Sequence, residues 1–147
     1  MQVKVKKLFH DAKLPTRGSE KAAAYDVYAY LPGQTIVRIP PHDCVKIGTG
    51  LSMALPDGYF MGVYARSGLA SNEHLRPANC VGVCDEDYRG EYKVCIHNDS
   101  DNKKFIHHGD RIGQIILQKR YDVEFEEVNE LDETKRGEGG FGSTGKN

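Results

Sequence analysis

Apolar and polar residues alternate at period two through most of this chain, the pattern of strands that bury one face and wet the other. QVKVKKLF opens in that register. LPTRGSEKAA breaks it with Pro15, Gly18 and Ser19, and three alanines then leave a crevice beside Tyr25 and Asp26 before the strand-favouring YDVYAYL. PGQ turns the chain into TIVRIPP, and DCVKIGTGLSMAL reads as one longer strand, bulged or bent at its glycines. After the turn PDGY, GYFMGVYAR delivers Arg66, Ser67 and Gly68 at its end. SGLASNEHL is the single predicted helix, with Ser67 at the N-cap and Pro77 preventing continuation. KKFIHHGD and RIGQIILQKRYDVEFEEV return to period two, and the second is long enough for two strands with a bend.

Between the helix and these last runs lies NCVGVCDEDYRG, Asn79 to Gly90, continued as EYKVCIHN. Val81, Val83, Val94 and Ile96 alternate around an acidic turn, which predicts a β-hairpin. Asp85, Glu86 and Asp87 crowd three like charges together, so at least one is expected to be held by a partner, a metal or a water that it activates. About ten short β runs at spacings of roughly 8 to 12 residues, with one short helix, predict an all-β antiparallel sandwich or jelly roll.

Composition narrows the possibilities. A chain of 147 residues fits one domain with a proper core. Its 20 lysines and arginines nearly balance 21 aspartates and glutamates, so no global field draws it to nucleic acid or to a membrane, and an anionic ligand must be met by a few placed cations. The first residues lack the long apolar run of a signal peptide or a membrane span, which predicts a soluble protein of the cytoplasm, or of the nucleus in a eukaryote. The four cysteines, Cys44, Cys80, Cys84 and Cys95, show no CxxC spacing and read as small, reduced core residues. Beyond Val128 the composition turns polar and glycine-rich, so the expected division is a β core over 1–128 and a flexible tail over 129–147. In that tail Arg136, Phe141, Gly142, Ser143 and Thr144 combine a cation, a stacking ring, close-approach backbone and hydroxyl donors, as a flap over an aromatic ring and phosphates requires.

Arg66, Ser67 and Gly68 at a helix start are likewise suited to an anion, joining a bidentate cation to a hydroxyl and free amides. In the order YDVYA, PDGYFMGVYARSGLA, GVCDEDYRG, GDRIGQ and RGEGGFGSTG, these pieces closely resemble the five motifs of the homotrimeric dUTP pyrophosphatases, from Pro15 to Gly145. Two positions depart from that pattern: Ala24 stands where the family usually has glycine, and Cys84 replaces an aliphatic residue.

The resemblance implies a jelly roll that trimerises, with each active site shared among three subunits, and hydrolysis of dUTP to dUMP and pyrophosphate. Such a reaction keeps uracil out of DNA and supplies dUMP for thymidylate synthesis. It implies that Asp85 activates a water for attack on the α-phosphorus, and that Mg2+ is held mainly by the triphosphate, with Asp26 reaching it through water. Arg66, Ser67, Gly68 and Gln114 match phosphate contacts. Asn79, Gly82, Val83, Cys84 and the strand near Lys93 match the uracil pocket, Tyr88 the ring beneath the deoxyribose, and the tail residues the closing flap. Glu86 and Asp87 match no catalytic position. A dCTP deaminase on the same fold and a non-catalytic nucleotide sensor are the alternatives, and the glycine-rich closing tail separates the pyrophosphatases from the first.

Overall fold

The computed structural model describes residues 1–141, and the expected flap residues Gly142, Ser143 and Thr144 lie outside them. Twelve strands and one helix follow one another: β1 (Lys4–Lys7), β2 (Thr16–Arg17), β3 (Tyr25–Tyr28), β4 (Ile36–Ile39), β5 (Cys44–Gly48), β6 (Leu51–Ala54), β7 (Tyr59–Tyr64), α1 (Ser67–Glu73), β8 (Leu75–Pro77), β9 (Val81–Cys84), β10 (Lys93–Asn98), β11 (Lys104–His107) and β12 (Arg111–Lys119). All pairings are antiparallel. They form a five-stranded sheet ordered β2-β3-β12-β7-β9, a three-stranded sheet β5-β10-β8, and the pairs β1-β6 and β4-β11. This is the all-β sandwich of jelly-roll type that the alternation predicts. One core of aliphatic side chains, among them Val27, Ile39, Ile47, Leu51, Ile96 and Ile112, fills the interior. Each such side chain removed from water contributes roughly 1.5–3 kcal/mol against the chain entropy lost.

Several predicted elements are redrawn. DCVKIGTGLSMAL is two strands, β5 and β6, separated at Gly50, whose φ of +68° is a left-handed conformation open to glycine, and the two pair into different sheets. The expected hairpin is not one: β9 pairs with β7, whereas β10 pairs with β5 and β8. Val94 and Ile96 are buried as predicted, but Val81 and Val83 are exposed, with 62% of Val83 accessible. None of the four cysteines is buried, and all are free. After β12 the chain from 120 to 141 forms no strand, so the period-two pattern of YDVEFEEV has no strand partner among the described residues. Tyr121, Val123 and Phe125 are consequently exposed, Phe125 to 93%.

Candidate functional site

Two clefts collect the chemically capable residues. The first opens beside β3, β12 and β7, and the register explains why. Gln114 of β12 stands opposite Asp26 of β3 on one side and Tyr64 of β7 on the other, so all three lie on one face. Arg111 precedes Gln114 by three residues, an odd spacing that would place it on the opposite face of a regular strand. A register shift between Arg111 and Gly113 inserts one residue and brings Arg111 back to the Asp26 side.

Asp26 is the hub of this cleft. Arg66 Nε donates to its Oδ1 at 2.8 Å and Arg111 Nη1 to its Oδ2 at 3.3 Å. Gln114 Nε2 donates to the Ala65 carbonyl at 2.7 Å, tying down the segment that joins β7 to α1. Two guanidinium groups facing one carboxylate leave the cleft net positive, and Arg66 keeps its terminal nitrogens for an anion. The cleft encloses about 680 Å³ beside Ala22, Ala23 and Ala24, the small-residue wall that the alanine run predicts. Ser67 lines it too, but as the first residue of α1 and not as its cap; Arg66 occupies the N-cap with no side-chain capping bond. The helix stops at His74 in the left-handed conformation, its N–H donating to the Leu69 carbonyl, and Pro77 belongs to β8. Gly68 is exposed one residue further along α1 and does not line the cleft.

The second cleft, of about 560 Å³, lies where β9 and β10 diverge into their separate sheets. β9 is an edge strand, so Gly82, Val83 and Cys84 present unpaired backbone groups along one wall, while Lys93 and Cys95 line the other. A planar ring carrying amide-like donors and acceptors can pair with such an edge as another strand would. A Cβ added to Gly82 would stand 3.1 Å from the Val63 Cβ, so the strand sits tightly on β7. Tyr88 lays its ring over Gly90 and donates its hydroxyl to the Glu91 carbonyl at 3.1 Å. Lys93 pairs with Glu91 at 3.2 Å, and Asn79 closes one end.

The three crowded acids separate by role. Glu86 accepts the Gly58 N–H at 2.7 Å and is the one that is held. Asp85 is exposed, lines the second cleft, and its carboxylate has no partner among the described residues. Burial pushes the neighbouring Cys84 thiol up in pKa, and the Asp85 charge pushes it further. Arg136 closes a local turn, donating to the Gly139 carbonyl at 2.8 Å, and Phe141 is fully exposed; neither lines a cleft. The two clefts share no lining residue. Sequence reasoning passed over Arg111, although GDRIGQ contains it, and Tyr92, which is buried against the second cleft.

No group of three metal-ligating side chains stands ready among the described residues. The donor set suits an ion that arrives with phosphates: Asp26 gives each oxygen to one guanidinium and keeps lone pairs for a metal-bound water, and Mg2+ prefers one or two carboxylates plus substrate oxygens.

A cation-lined cleft and an edge-strand cleft on a small β sandwich have the chemistry to suit a phosphorylated planar ligand, and relatives narrow this class. The dUTPase family model matches residues 10–145. The deoxyuridine 5'-triphosphate nucleotidohydrolase of Helicobacter pylori (strain P12) is 41% identical over 145 residues, 99% of this chain and 97% of its own. That of Corynebacterium glutamicum is 44% identical over 98% of this chain and 95% of its own. Among solved structures, a Staphylococcus bacteriophage 80alpha dUTPase with dUPNHPP superposes with a TM-score of 0.86 at 27% identity, covering 98% of both chains. The chain belongs to the dUTPase family.

Proposed function

We propose that this chain hydrolyses dUTP to dUMP and pyrophosphate as a homotrimer whose active sites are shared between subunits. The observation that carries this reading is the pair of clefts, one lined by two guanidinium groups and the other by the β9 edge and Asp85; that different copies supply the two halves of a site is part of the proposal. The exposed apolar positions Tyr121, Val123, Phe125 and Leu131 supply surface for such contacts.

In the assembled site the β9 edge pairs with uracil, and a backbone pocket of this kind rejects cytosine through an unpaired donor and thymine through lack of room. Tyr88 lies beneath the sugar. Arg66, Ser67 and Gln114 of a neighbouring copy hold the phosphates, with Gly68 amide support and with Arg111 beside Asp26. Asp85 takes a proton from the water that attacks the α-phosphorus, and pyrophosphate leaves in line. Mg2+, when bound, neutralises the charge of the triphosphate. The segment 129–147 acts as the flap, with Phe141 over the base and Arg136, Gly142, Ser143 and Thr144 on the phosphates. A direct test incubates the full chain with Mg2+ and either dUTP or dCTP and measures pyrophosphate and ammonia separately. Pyrophosphate from dUTP without ammonia is expected; ammonia from dCTP would identify a deaminase, and no product from either would leave a binding module.

A further inference from the structure

The turn that carries Asp85 stands where strand pairing ends. Cys84, the last residue of β9, pairs with Met61 of β7, and the ladder between the two strands stops there. Beyond it the chain turns through 85–88, closed by the Tyr88 N–H on the Asp85 carbonyl at 3.2 Å, and crosses to β10 in another sheet. At the far end of this crossing the Ser52 hydroxyl holds the Arg89 carbonyl at 2.7 Å. At the near end, beside Asp85, a side chain takes over from the ladder: Glu86 Oε2 accepts the Gly58 N–H at 2.7 Å. Gly58 is a firm point of attachment. It lies directly before β7 in the left-handed conformation, with φ of +76°, and its carbonyl accepts the N–H of Arg120, the residue after β12, at 2.8 Å. Continuing the β7–β9 register would set Glu86 opposite Tyr59, so its carboxylate reaches the neighbouring amide and replaces a bond that the backbone no longer makes.

Two neighbouring acids are thus treated differently. The Glu86 side chain is 28% accessible and fixed, whereas Asp85 is exposed on the second cleft and its carboxylate has no partner among the described residues. We infer that Glu86 is a positioning residue for Asp85: by holding the Gly58 N–H it fixes the turn, and with it the direction in which the adjoining free carboxylate faces the second cleft. The inference rests on the reading of Asp85 as the general base. Such a base must meet the attacking water within hydrogen-bond reach, so a turn that drifts loses rate. The bond to Gly58 carries the effect, because the half-exposed Arg120 stands 3.9 Å from the same carboxylate and a pair of that kind adds little. Glu86 does not line the cleft, and Tyr88 keeps its own tether to the Glu91 carbonyl. Loss of the Gly58 bond therefore acts on the chemical step and leaves nucleotide binding alone.

The test compares Glu86→Met, which keeps the length of the side chain and removes both oxygens, with Glu86→Gln, which returns an acceptor without the charge. Turnover of dUTP by the unmodified full chain and by Asp85→Asn is measured first. No turnover by the unmodified chain overturns the hydrolase reading and the inference together, and full turnover by Asp85→Asn overturns the base reading and the inference with it. Given a working base, Glu86→Met is expected to lose roughly tenfold in kcat with KM unchanged, the size of one hydrogen bond, and with little change in Tm. Glu86→Gln should regain most of that loss. In an Asp85→Asn background Glu86→Met should cause no further loss. An unaltered kcat, a rise in KM in place of the fall in kcat, a Glu86→Gln chain as slow as Glu86→Met, or a loss that multiplies in full with Asp85→Asn overturns the inference and leaves the hydrolase reading intact. A Glu86→Met chain that does not fold overturns it as well, since the role would then be structural.

Discussion

The two clefts differ in how far their charges are already arranged. In the first, Asp26 takes one guanidinium on each oxygen and Gln114 ties down the Ala65 carbonyl beside Arg66, so the cations are aimed before any anion arrives. In the second, among the described residues, β9 leaves an edge unpaired and the Asp85 carboxylate has no partner. Binding a triphosphate rewards a fixed array of donors, whereas attack on phosphorus needs a base that is free to take a proton. Under the proposed function, the contrast separates a part that grips from a part that reacts.

The sharpest way to break that contrast is to neutralise the reacting part. Asp85→Asn should leave folding and nucleotide affinity largely intact and slow hydrolysis by about two to four orders of magnitude, the usual worth of a positioned base. Steady-state turnover beside binding of a non-hydrolysable analogue measures both. Near-normal turnover would move the base to Asp87 or Glu86. The same variant tests sharing: co-expressed with Arg66→Ala, each chain contributes one intact cleft, so mixed trimers should regain activity that neither variant has alone. If each site were built within one chain, mixing would restore nothing.

Removing the tail comes next. Truncation after Lys135 deletes Phe141 and Arg136 but no core residue, so Tm should change little while turnover falls roughly a hundredfold through loss of positioning and water exclusion. A truncated chain that works at the full-length rate would remove the flap from the proposal. A smaller effect is expected in the gripping cleft. Arg111→Ala takes away one of the two donors to Asp26, and KM should rise about tenfold with a lesser change in kcat. If kcat fell alone, Arg111 would belong with the reacting part.

Period-two alternation made most strands legible, because each strand's own residues decide which face is buried. Pairing was less legible, since it depends on distant segments. The valines of β9 alternate as hairpin valines do, yet β9 joins β7 and leaves Val83 exposed. YDVEFEEV has a strand's pattern, but a strand needs a partner, and none pairs with it among the described residues. Cysteine's apolar character misled in the same way, since Cys44 and Cys80 face outward. Motif matching found Gln114 and missed Arg111, whose side chain joins the site only because a bulge reverses its face. Tyr92 was hidden by its type: a tyrosine in an apolar run passes for packing until its hydroxyl is seen to lack a partner.

The smallest expected effect concerns selection of the sugar. Tyr88 is half exposed, its ring covers Gly90, and its hydroxyl is tethered to the Glu91 carbonyl, so the ring is held against the cleft instead of swinging free. Its neighbour Tyr92, with ring centroids 6.0 Å apart, backs it from the core side. A ring fixed on both sides can exclude a 2′-hydroxyl by occupying its place, and exclusion of one small group by shape is worth only a modest factor. Tyr88→Ala should therefore raise turnover of UTP relative to dUTP by about five- to fiftyfold, most of it through better UTP handling and some through weaker dUTP binding. Competition between the two nucleotides in one reaction measures the ratio directly. A ratio that does not move would show that the backbone of the β9 edge excludes ribose by itself, and that Tyr88 serves to hold the corner on which Asp85 stands.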